Sequence, residues 1–304
     1  MFTNPVGRRG LSAADTRPEE TGMQQLDPED GLAIWDFTEG SELPGENLAI
    51  ERLGLGGSSE TWFVWNPGLW SPAVLKLVRP HEIRRQRAIQ SLRRETAALA
   101  GNLHPGLPRL LSDGISDPIP HILSEYIDGP ALDEELDKNG AIGAEEAALL
   151  GAQLLPALAS LHHRGLAHLD LKSANVALRD GHPILLDFDT VAPIGTLQDP
   201  GHPVGTEGYC APEQEACEPI TVAMDLYGLG MVLAEAVTGV PRAEGAEIPP
   251  SPLAPLIQQL RSEQPAERGT TGDVLVALAE TAGDLLRPWP AWLDRYASDS
   301  QPVP

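Results

Sequence analysis

The stretch HLDLKSANVALRDGHPILLDFD, residues 168–189, sets Asp170, Lys172, Asn175 and Asp187 on polar turns beside the apolar runs VAL and ILL. Two carboxylates and an amide are hard oxygen donors of the kind Mg2+ prefers, usually alongside substrate phosphates and water. Asp170 is also suited to accept the proton of an attacking hydroxyl, and Lys172 to neutralise charge on a moving phosphoryl group.

Upstream, LGLGGSSETW reads as a glycine-rich hairpin between two strands. Backbone N–H groups of Gly54, Gly56 and Gly57, freed of side chains, could approach phosphate oxygens closely, although glycine turns between strands are also common without any ligand. About twenty residues on, AVLK ends a β-like run with Lys76. A helical pattern follows, with Ala88, Ile89, Leu92, Glu95, Thr96 and Leu99 on roughly one face before Gly101-Asn102 stops it. A carboxylate among Ala and Leu needs a cation, and Lys76 is available. Glu95 and Lys76 explain each other.

The 304 residues, 41% of them hydrophobic, can bury a substantial core in one large domain or two lobes. A formal charge of −23 opposes general affinity for nucleic acid or anionic membrane, since phosphate binding draws on clustered Lys and Arg. No apolar run approaches a bilayer span and the start lacks the apolar centre of a secretion signal, so a cytoplasmic location without membrane insertion is expected. Cys210 and Cys217 match no metal spacing and read as free thiols.

Residues 1–45 read as an acidic flexible extension, in which IWDF (34–37) is an apolar exception that could dock on the folded domain or on a partner. The runs LAIERLG, ETWFVW and SPAVLKLV predict a small antiparallel sheet, joined later by RLLSDGI and HILSEYI. Beyond residue 127 helical patterns dominate. Residues 144–164 carry leucines at helical spacing, with Pro156 expected to kink the helix or break its hydrogen-bond ladder, and Thr221 to Thr238 read as a helix buried nearly all round. The divisions are thus a first lobe over 46–127, a second over 128–290 and a C-terminal tail over 291–304.

In the order glycine loop, Lys, helix Glu, H-x-D-x-K-x-x-N and D-F-x, the set resembles the eukaryotic-type (Hanks-type) serine/threonine protein kinase family in its bacterial form, over about residues 48–285. VGTEGYCAPEQ is similar to the end of that family's activation segment, with Ala211-Pro212-Glu213 as its A-P-E motif; Asp225 and Arg268 match two further family positions. The resemblance implies an α+β, bilobal protein kinase-like fold: an antiparallel N-lobe sheet with one long helix, and a mainly helical C-lobe. It implies ATP and Mg2+ as cofactors and protein substrates, including the chain itself, as partners. Lys76, oriented by Glu95, would hold the α- and β-phosphates under the glycine loop, and backbone groups from Glu125 to Ile127 would bind adenine, with the small Ser124 beside them. Asp170 would deprotonate the substrate hydroxyl, Lys172 would stabilise the transferring phosphoryl, and Asn175 and Asp187 would bind Mg2+. Lys172 together with Thr206 is the serine/threonine pattern.

Several positions depart from the family. Ser59 replaces the third glycine and Thr61 the valine that packs on adenine. Leu169 replaces the arginine that reads a phosphorylated activation loop, which predicts activity without that phosphate. Asp189 replaces the glycine of D-F-G, where it would restrict a backbone flip, add a carboxylate near the metals, or be a solvated turn residue. Only about a dozen residues separate Gly239 from the pattern near Ser251, so a substrate-docking helix is expected to be short or missing. An arginine cluster (Arg79, Arg84, Arg85, Arg87, Arg93, Arg94) reads as a solvated helix face, or as a seat for the acidic extension. D-F-D also occurs in small-molecule phosphotransferases of the aminoglycoside or choline kinase type, and a nucleotide-binding pseudokinase scaffold is a third reading. Lys172, the GT-x-x-Y-x-A-P-E segment and Asp225 favour a protein kinase.

Overall fold

The computed structural model describes residues 24–28 and 30–286. Strands β1 (Gln24–Leu26), β2 (Ala33–Trp35), β3 (Glu42–Leu43), β4 (Asn47–Leu55), β5 (Ser59–Asn66) and β6 (Ser71–Val78) precede helix α1 (Gln86–Leu99), and β7 (Leu110–Asp113) and β8 (His121–Glu125) follow it. β3 to β8 form one antiparallel sheet in the order β3-β4-β5-β6-β8-β7. SETWFVWN in β5 buries every second residue, the alternation a half-covered strand requires. Its Trp62 and Val64 join Ala73, Leu75 and Leu77 of β6 in a core closed by Trp35 and Leu43. Lys76 pairs with Thr61 on one side and Ile122 on the other, so it sits on an interior strand whose register both neighbours fix.

The remainder is mainly helical: α2 (Leu132–Asn139), α3 (Ala144–His162), the short strands β9 (Leu166–Ala167), β10 (Val176–Arg179), β11 (His182–Leu185) and β12 (Ala192–Pro193), then α4 (Pro212–Glu215), α5 (Val222–Thr238), α6 (Ala254–Leu260) and α7 (Thr271–Ala282). Leu154 and Leu158 of α3, Leu229 and Leu233 of α5, and Val274 and Leu278 of α7 share one buried cluster. α5 is buried on nearly all sides, as its composition demands, and Gly239 ends it in the left-handed region at φ 65°. The bilobal α+β arrangement expected from the sequence is present.

Three expectations need correction or refinement. The extension proposed for residues 1–45 is not uniformly irregular: residues 24–26 pair with 33–35, β3 joins the main sheet, and Ile34 and Trp35 are buried. IWDF therefore docks on its own lobe, because Trp35 stacks on Phe37 and donates its indole N–H to the Val78 carbonyl at 2.9 Å. Residues 1–23 and the tail over 291–304 lie outside the described residues. Pro156 does not break α3, which runs unbroken to His162. A proline inside a helix, through its missing hydrogen bond and its ring clash, costs roughly 3 kcal/mol, and burial of Leu154, Leu155, Leu158 and Leu161 around it offsets that. Between α5 and α6 the chain forms only a short 3-10 turn, Pro241–Ala243.

Candidate active site

A cleft of about 490 Å3 lies between the sheet and the helical lobe, within the range of small-ligand sites. Gly54, Gly56, Lys76 and Glu95 line one side of it. Glu125 and Ile127 line the connection between lobes, and Asn175 and Asp187 line the floor. Gly57 is not part of this wall. Asp170 and Lys172 lie just beyond it, joined to the floor through Asn175.

The runs VAL and ILL explain the floor. They become β10 and β11, and the pairing of Val176 with Leu185 brings the residues flanking them together. The Leu186 amide donates to the Asn175 carbonyl at 2.8 Å, so Asn175 and Asp187 emerge at one end of one hairpin. The Asn175 amide nitrogen donates to the Asp170 carbonyl at 2.9 Å and to Asp170 Oδ2 at 3.1 Å. Lys172 Nζ donates to the same Oδ2 at 2.8 Å and to Thr206 Oγ1 at 2.7 Å. Asp170 Oδ1 is buried and has no hydrogen-bond partner among the described residues. One carboxylate oxygen is thus committed and the other is left to accept a proton donor.

The turn bearing Asp170 hangs from α5. Asp225 accepts the His168 and Leu169 amides at 2.9 and 2.8 Å and contacts His162 Nε2 at 2.7 Å. Burial pushes the Asp225 carboxyl up, but the hydrogen bond and charge of His162 outweigh it, leaving the group below the usual aspartate range. Leu169 is held at φ 70° and Asp187 at φ 58°, left-handed values that a bulky residue adopts only when its surroundings hold it there.

Lys76 Nζ lies 3.0 Å from Glu95 Oε2, 3.2 Å from Asp187 Oδ1 and 2.7 Å from Asp189 Oδ1. Burial alone would lower the Lys76 pKa, yet the three carboxylates raise it well above the ordinary lysine value, so it is charged. Burial pushes the Glu95 carboxyl up to about 7 against the pull of Lys76, with Asp189 and Asp187 adding to the rise. Asp189 is therefore an ion-pair partner of Lys76 rather than a solvated turn residue. Its carbonyl accepts from Ser91 Oγ at 3.2 Å and Arg94 Nη2 at 3.5 Å, which ties α1 to the end of the hairpin.

The donor set fits a magnesium ion. Asp187 offers a carboxylate, the Asn175 amide oxygen is the atom left once its nitrogen is spent on Asp170, and Mg2+ takes one or two such ligands and completes its shell with phosphates and water. No group of three or more His, Cys, Asp or Glu side chains suited to a metal occurs among the described residues.

The family model of the protein kinase domain matches residues 49–273. The chain belongs to this family. It is 30% identical over 272 residues to probable serine/threonine-protein kinase PkwA of Thermomonospora curvata, an alignment covering 81% of this chain and 35% of that protein. It is 39% identical over 197 residues to serine/threonine-protein kinase PkaA of Streptomyces coelicolor, covering 62% of this chain and 35% of PkaA. Identity to serine/threonine-protein kinase PknB of Mycolicibacterium smegmatis is 30% over 225 residues, 70% of this chain and 35% of PknB. The chain thus spans about a third of the length of the curated relatives it matches.

Other features of this kinase domain are now explicable. Glu213 and Arg268 form a buried bidentate pair at 2.5 and 2.8 Å, anchoring the A-P-E segment. Leu169 packs with Ala167, Ala211, Ile220 and Met224, so apolar contact occupies the place of the family arginine. The Glu125 amide donates to the Arg109 carbonyl at 2.8 Å, and its carboxylate engages Arg179 at 2.7 Å and Arg109 at 3.2 Å. Burial pushes the Cys210 thiol up to about 12, which keeps it unreactive; both cysteines are free. No described helix is long and apolar enough to cross a membrane. Sequence reasoning missed Asp30, Ser91 and Arg164, whose contacts join segments far apart in the chain; of its two readings of Arg79, the solvated face fails because Arg79 is wholly buried, and the seat for the acidic extension is the one that the Asp30 contact matches.

Proposed function

We propose that the chain is an ATP- and Mg2+-dependent serine/threonine protein kinase that transfers the γ-phosphoryl group to protein hydroxyls, its own included. The observation that carries the reading is the bridge from Lys172 to both Asp170 and Thr206, beside an Asp170 oxygen left without a partner. Asp170 Oδ1 accepts the proton of the attacking Ser or Thr hydroxyl, and Lys172, already at the carboxylate, offsets charge on the transferred group. Lys76, presented by Glu95, holds the α- and β-phosphates, and the loop backbone around Gly54 and Gly56 covers them. Asn175 and Asp187 hold Mg2+, which supplies charge neutralisation to the phosphates when bound. Ile127 and Ser124 shape the adenine end. Dependence on ATP places the reaction in the cytoplasm, and a charge of −23 favours basic acceptor proteins over nucleic acid.

Incubation with Mg2+, γ-labelled ATP and a basic acceptor protein, followed by phosphoamino acid analysis, tests the proposal. Phosphoserine or phosphothreonine is expected. Phosphotyrosine alone, or ATP consumption only when a small metabolite is added, would contradict it.

A further inference from the structure

Arg79 directly follows β6 and is 0% exposed, whereas Arg84, Arg85, Arg87 and Arg93 in the same run face solvent. A buried guanidinium stays charged and must have its donors met. Arg79 meets them on two sides. Toward the N-terminal segment, Nη1 and Nη2 fork onto the Asp30 carboxylate at 2.7 and 3.1 Å, and Nε donates to the Ala33 carbonyl at 3.1 Å. Toward the glycine hairpin, Nη1 also donates to the Gly56 carbonyl at 2.9 Å, and the Arg79 amide donates to the Ser58 carbonyl at 2.9 Å.

A second seam runs beside the first. The Trp35 amide donates to Glu60 Oε1 at 2.8 Å, and Glu60 is fully enclosed at the foot of the same hairpin. The hairpin is thus fastened from behind at Gly56, Ser58 and Glu60, while Gly56 also lines the cleft in front. Because a trans peptide is planar, fixing the Gly56 carbonyl also fixes the opposed N–H of Gly57. Forked Arg–carboxylate pairs are the stronger and more directional class of hydrogen bond, suited to holding such a plane.

We propose that Arg79 is a positioning residue for the phosphate-covering loop, and that residues 30–35 act through it, so that docking of this N-terminal segment sets nucleotide affinity. The inference rests on the reading of the cleft as an ATP site. Asp30 keeps an exposed side-chain edge, 39% accessible, so Asp30→Asn weakens the fork without opening a cavity; Arg79→Lys keeps the charge and loses the fork.

Both variants are made in the full chain and compared with the parent by amide hydrogen exchange without nucleotide, then by ATP kinetics. Faster exchange at residues 54–59 is expected, with α5 and α7 unchanged, and KM for ATP should rise about three- to tenfold with kcat affected less. Should Arg79→Lys fail to fold, Asp30→Asn carries the test alone. Unaltered loop exchange, or a fall in kcat with KM for ATP unmoved, overturns the proposal. A loop that responds in a parent protein that neither binds nor turns over ATP supports the coupling and sinks the kinase reading instead.

Discussion

Asp189 stands 2.7 Å from Lys76, closer than Glu95, and in the proposed ATP site it would compete with phosphates for the same ammonium. Removing that charge while keeping a side chain on the backbone should ease nucleotide binding. With Asp189 about a third exposed the effect is roughly 1 kcal/mol, so Asp189→Asn should tighten ATP about fivefold by titration calorimetry. Weaker binding would mean that Asp189 assists the nucleotide. Leu169 lies in an apolar cluster and, unlike an arginine, offers no cation to a phosphate, so dephosphorylated enzyme should turn over at the rate of the untreated enzyme. A collapse after phosphatase treatment would refute this. The chemical residues were readable from the stretch 168–189 because a β-hairpin brings its ends together locally. The role of Asp189 was not, since its partners Lys76 and Ser91 lie about a hundred residues away and arrive by packing of the lobes.

Helix α1 must hold Glu95 against Lys76, and its last carbonyls have no partners within the helix. Arg164, on the turn before β9, donates to the Ala98 carbonyl at 2.5 Å, to Ala100 at 3.3 Å, and to Ala97. A cation there also suits the negative end of the helix dipole. Arg164→Ala should therefore cost about 1–2 kcal/mol in denaturant unfolding and lower kcat by loosening Glu95; unchanged stability and rate would show that solvent replaces the cap. α1 and α5 were legible as elements because their apolar spacing and stop signals are local. The short strands β1 and β2 were not, since three-residue runs carry little periodicity and the hydrogen bonds that hold Trp35 come from Val78 and Glu60, far along the chain. Pro156 sits inside α3 without ending it for a related reason: packing overrides propensity.

At the scale of the molecule, Asp225 links the reactive turn to the helical core. Its folded pKa is depressed, so it contributes stability that is present above the unfolded aspartate value and is lost as pH falls through the folded one. Asp225→Asn should lower unfolding free energy near neutral pH by about 3 kcal/mol, and below about pH 4 its stability should fall less steeply with acid than the parent's. Curves of equal steepness would remove Asp225 from the acid response. In the proposed reaction Asp170 serves the hydroxyl while the cleft holds MgATP independently of it. The most direct measurement is the initial rate of phosphoserine and phosphothreonine formation by Asp170→Asn beside the parent, with MgATP affinity measured on both. Affinity within twofold and a rate lower by at least about a hundredfold are expected; comparable phosphorylation by the two proteins would show that Asp170 does not serve the hydroxyl.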